Sequence, residues 1–77
     1  MIVITIPIDL HSDLMWRCKF ESAEYMMLKS GILVREGAVE RIDIPCNPEE
    51  AGRFLQFAER ASPGVSRLML INSDHTN

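Results

Sequence analysis

Cys46 is the most chemically suggestive residue of this sequence. It stands between the apolar run ending at Ile44-Pro45 and the helix-opening segment Asn47-Pro48-Glu49-Glu50. A thiol before a helix N-terminus can be acidified by the helix dipole, and strand-to-helix loops are where α/β units commonly hold ligands. Cys46 and Asn47 are therefore the candidate ligand-binding pair. Against a reactive thiol stand Glu49 and Glu50, which oppose a thiolate, the absence of a neighbouring histidine, and an Arg53 at the wrong spacing for a phosphatase loop. The blander reading is a small apolar residue beside a helix cap.

Asp9, His11 and Asp13 alternate and offer two carboxylates and an imidazole to a metal ion, with no fourth ligand identifiable. Asp, His and Ser are equally ordinary in turns, and a turn is the expectation for Asp9–Asp13. Asp74-His75 falls in a polar tail that cannot hold a dyad in position. No Ser-His-Asp set, glycine-rich phosphate loop or Walker motif is present, so no catalytic residue is assigned and no cofactor is implied.

The elements that must position these residues follow from periodicity. Ile2, Ile4, Ile6 and Ile8 recur at period two in a strand of β-branched residues. Leu14, Trp16, Cys18 and Phe20 share one parity and Arg17, Lys19 and Glu21 the other, which predicts a second strand over 14–21, hairpinned to the first, with Cys18 in the core. Ser22 caps a short helix running to Lys29, with Tyr25 and Leu28 inward and Gly31 closing it in a left-handed conformation. Ile32–Arg35 is either the continuation of that helix or, the favoured reading, a short strand turning at Glu36-Gly37. Val39–Ile44 is a strand with Ile42 and Ile44 inward. Asn47 caps the best-marked helix, with Pro48 at its first position and the stripe Ala51, Phe54, Leu55, Ala58 facing the core. Gly52, inside that helix, is read as a point of close packing against the sheet. Ser62-Pro63-Gly64 ends the helix, and the run Leu68–Ile71 predicts a central last strand over 65–72, covered on both faces.

Together these predict an α+β two-layer sandwich: a mixed β-sheet of four or five strands with two helices on one face, in the order ββα(β)βαβ. The mixed sheet follows from a parallel crossover between 39–44 and 65–72. A ferredoxin-like βαββαβ order, with 12–29 as one long helix, is the runner-up. Residues 1–72 form the single domain and 73–77 a polar tail. The uncovered sheet face would gather Arg17, Lys19, Arg41 and Arg67 together with Val3, Thr5, Met15, Met69 and Ile71.

Composition bounds the rest. With 77 residues, 47% of them apolar and 25% charged, the chain is globular and has room for one core. Its net charge of −3 disfavours nucleic acid, and with Trp16 and Phe20 turned inward the open face would lack a base-stacking platform. The apolar run at the N-terminus is strand-sized and resembles neither a membrane span nor a signal peptide, so a cytoplasmic location is expected, and Cys18 and Cys46, with no CxxC spacing, are read as free thiols. More Met, Ile and Val are present than one small interior can bury. The expectation is a small, soluble, non-enzymatic interaction or regulatory module, homodimeric, with Met15, Arg17, Lys19, Arg41, Met69 and Ile71 at the interface. A small-ligand-binding domain using the loop at Cys46 is second, and a thiol-dependent enzyme third.

Overall fold

The computed structural model describes residues 1–73. Strand β1 (Ile2–Pro7) leads directly into helix α1 (Ile8–Arg17), which is followed by α2 (Ala23–Lys29), β2 (Ile32–Glu36), β3 (Val39–Cys46), α3 (Pro48–Ala61), a 3₁₀ turn (Val65–Leu68) and β4 (Leu70–Ser73). The four strands form one sheet in the order β2-β3-β1-β4. Every neighbouring pair is antiparallel.

The α+β class, the two layers and the helices on one sheet face are as expected, whereas the leading element order is not. The chain adopts the runner-up βαββαβ order, with the first helix broken into α1 and α2. The crossover from β3 through α3 to β4 does end parallel to its start, but it passes over β1, which lies between them. A strand inserted antiparallel to both makes the sheet wholly antiparallel rather than mixed.

The core is built from one parity of the two central strands. Ile4 opposes Ile44 and Ile6 opposes Ile42 across the β1–β3 ladder, and these side chains pack against Leu10 and Leu14 of α1, Met27 and Leu28 of α2, and Ala51, Phe54 and Ala58 of α3. At about 25 cal/mol per Å² of apolar surface this layer contact supplies most of the driving force for folding.

The 14–21 segment is the main correction. Ile8–Arg17 is helical, with Asp9 in its first turn, Arg17 in its last, and an Asp13–Arg17 pair at 3.0 Å one turn apart. Leu10, Leu14, Met15 and Cys18 make the helical stripe that meets the core. The alternation of Leu14, Trp16, Cys18 and Phe20 does not track burial: Leu14 is in the core and Cys18 packs against it, whereas Trp16 is 90% and Phe20 70% exposed. The chain turns between the two helices at Glu21, whose φ of 62° is left-handed, and Ser22 then caps α2 by accepting from the Tyr25 amide at 3.1 Å.

The last segment is also not a central strand. Val65–Leu68 is a 3₁₀ turn and β4 is a four-residue edge strand, exposed throughout. Consecutive apolar residues in a strand alternate between faces, and only one face here is covered. Ser73, read as tail, pairs with Ile2 in β4. Residues 74–77, including the Asp74-His75 pair, lie outside the described residues. Gly31 does not close α2 in a left-handed conformation: Ser30 ends the helix, and Gly31 is required because a Cβ there would collide with the Ile42 side chain. Gly52 has open space around its Cα, so no close packing explains it.

Candidate interaction surface

Opposite the helices lies a sheet face that no element among the described residues covers. On it a polar track crosses three strands. Thr5 Oγ1 donates to Asp43 Oδ1 at 2.8 Å, Arg41 Nε lies 3.5 Å from Asp43 Oδ1, and Arg41 Nη1 donates to Glu36 Oε1 at 2.9 Å. The Glu36 hydrogen bond, ahead of the charges of Glu36 and Asp43, raises the Arg41 pKa further above its ordinary value. Around this track are apolar side chains: Ile32 and Val34 on β2, Val39 on β3, Val3 on β1 and Leu70 on β4, with Ile32, Val39 and Leu70 among the exposed large hydrophobics. Between β1, β3 and β4 the face holds a shallow trough of about 450 Å³, lined by Thr5, Arg41, Asp43, Leu70 and Asn72.

Of the expected interface residues, only Arg41 lies on this face. Met15 and Arg17 belong to α1, and Lys19 to the turn after it, because that segment is helical rather than a strand. Met15 and Met69 pack partly against the core, and Ile71 opposes Ile4 and so sits on the helix side of the sheet. Arg67 is in the 3₁₀ turn. Arg17 and Lys19 instead join Arg60 in a cleft of about 470 Å³ floored by Phe57 and Ala61, with Glu24 in its wall. Arg17 is already committed there, donating through Nε to Asp13 and through Nη1 to the Ala61 carbonyl at 3.2 Å.

Cys46 and Asn47 border a shallow hollow of about 440 Å³ together with Met1, Pro45, Pro48 and Glu50. Its polar groups serve the fold. Asn47 Oδ1 accepts from the Glu50 amide at 2.7 Å while Glu50 Oε1 accepts from the Asn47 amide at 3.0 Å, a reciprocal capping box. Cys46 is buried, and burial first, then the Glu50 carboxylate, pushes its thiol up, the reverse of activation.

Asp9, His11 and Asp13 lie on α1 rather than in a turn, so alternate residues point to different sides of a helix. Asp13 pairs with Arg17. His11 Nε2 lies 2.8 Å from the Leu28 carbonyl, which can only accept, so the ring donates there and ties α1 to α2. Among the described residues no three His, Cys, Asp or Glu side chains converge to hold a metal ion.

The apolar rim of β2 was not singled out from the sequence. Its signal was the neighbouring run Ile32-Leu33-Val34, whose uncovered position depends on strand order. Comparison of the chain with protein-family models, with curated proteins and with solved structures found no match. Among the described residues no helix is long and apolar enough to cross a membrane.

Proposed function

We propose that this chain is a small non-enzymatic interaction module that acts as a homodimer and meets its partner through the sheet rather than the helical layer. The observation that carries this reading is the uncovered sheet face, where Ile32, Val39 and Leu70 stand exposed around a self-satisfied polar track. An apolar rim with its polar groups already paired loses little on desolvation, which suits it to burial against protein. The same pairing argues against nucleic acid, since Arg41 is engaged by two carboxylates and the exposed aromatics Trp16 and Phe20 lie away from the sheet. A cytoplasmic setting belongs to this reading and accords with Cys18 and Cys46 both being free thiols.

The test is native mass spectrometry of the untagged protein over a concentration series. A dimer without added mass supports the module reading. Monomer at every concentration overturns the homodimer, and a reproducible bound mass moves the small-ligand reading, with the hollow at Cys46 as its site, to first place.

A further inference from the structure

Resting on the homodimer reading, we propose that the two copies join edge to edge, β2 adding antiparallel to β2 of the second copy so that two four-stranded sheets become one.

An exposed strand edge is a template for pairing, and folded proteins usually protect it with proline, charged side chains or a bulge. Of these β2 carries only charge, on Arg35 and Glu36 at its turn end. It contains neither proline nor lysine, and it pairs with β3 in continuous register from Ile32↔Asp43 to Glu36↔Val39. Its two charges are neutralised within its own hairpin, Arg35 by Glu40 at 2.8 Å and Glu36 by Arg41 at 2.9 Å, so the edge presents no net charge to repel its copy. The other edge, β4, is shorter and half of it is Asn72 and Ser73.

The backbone is oriented for addition. Gly37, with φ of 61°, occupies the first position of the two-residue turn between Glu36 and Val39, as a type II′ hairpin requires. Residues flanking such a turn form a hydrogen-bonded pair, and pairs alternate along the ladder. Leu33 and Arg35 therefore direct their amides and carbonyls to the free edge. A two-fold axis at Leu33 sets Leu33 against the partner's Leu33, and Ile32 against the partner's Val34 twice on the open face. Such β-branched cross-strand pairs favour this register over those that set apolar residues against Arg35 or Glu36. The closed two-fold uses up both free β2 edges, so pairing through β2 stops at a dimer.

Residue-resolved amide hydrogen exchange on the untagged protein, at concentrations where native mass spectrometry shows dimer and after dilution to monomer, tests the edge. The Leu33 amide, the outward one that this register pairs within β2, is expected to exchange at least about tenfold more slowly in the dimer. A dimer in which it exchanges as in the monomer overturns edge addition and leaves the homodimer standing, whereas a chain that is monomeric throughout removes both. Leu33→Pro deletes an outward amide without taking a hydrogen bond from the hairpin. It is expected to give a monomer with an unchanged far-ultraviolet spectrum, and a variant that dimerises like the native chain would overturn the proposal.

Discussion

At the scale of single residues, two glycines separate space from propensity. Gly31 lies against Ile42, so Gly31→Ala forces the α2–β2 connection away from the sheet and is expected to destabilise by about 1–3 kcal/mol, as overpacking does. Gly52 is exposed in the interior of α3 with nothing near a Cβ, so Gly52→Ala is expected to stabilise by roughly 0.5–1 kcal/mol. Urea midpoints of the two variants, moving in opposite directions, check both; equal shifts would contradict the packing described for Gly31. Glu59 offers a pH test. The nearby Ser66 side chain, then the Gly64 and Ser66 amides, which donate to the carboxylate at 2.9 Å, lower its pKa from 4.5 to about 2. A depressed carboxylate favours the folded state above its unfolded pKa, and that contribution is lost as pH falls from 4.5 towards 2. Solvent screening keeps it small at this site. Glu59→Gln is expected to flatten the acid limb of stability in that window, read as urea midpoints over a pH series; an unchanged slope would mean that the carboxylate does not hold the turn.

At the scale of elements, α1 shows how a short alternation can mislead. Seven residues that alternate are also compatible with a helix if the large apolar ones can stay in water, and Trp16 and Phe20 do. The helical signs were present in Asp9 near the start, the Asp13–Arg17 spacing and the Leu10, Leu14, Cys18 stripe, yet propensity alone could not outweigh the apparent burial of a tryptophan. Leu14→Ala is expected to cost about 2–5 kcal/mol and Trp16→Glu to change stability by no more than about 0.5 kcal/mol. Comparable losses for the two, by denaturant titration, would restore the strand. The start of α3 is the opposite case. Its capping box is local in sequence, and Asn47→Ala is expected to cost about 1 kcal/mol by the same titration. Such local chemistry explains why α2, β2, β3 and α3 were legible while α1 and β4 were not.

At the scale of the whole molecule, charge pairing and association are linked. Because Arg35, Glu36, Arg41 and Asp43 are paired within one chain, a sheet-mediated dimer involves few intermolecular charges. Its dissociation constant is expected to change less than about threefold between low and high salt. Sedimentation equilibrium at the two salt concentrations checks this, and steep weakening with salt would instead implicate the cationic cleft of Arg17, Lys19 and Arg60.

What the amino-acid sequence determined by itself were features written within a few residues: the isoleucine parity of β1, the Ser22 and Asn47 caps, the turn at Gly37, and the presence of one α+β core. The tertiary structure alone decided which strands are neighbours, and with that the antiparallel sheet, the edge positions of β2 and β4, and the dispersal of the expected interface residues between helix and sheet. The Cys46–Asn47 junction was legible as a place, but not as chemistry, since the burial that pushes the thiol up is set by packing. The physical reason is range. Caps and turns satisfy backbone groups locally, whereas strand order and exposure follow from the most favourable joint burial of segments that are distant in the chain, which no local pattern records.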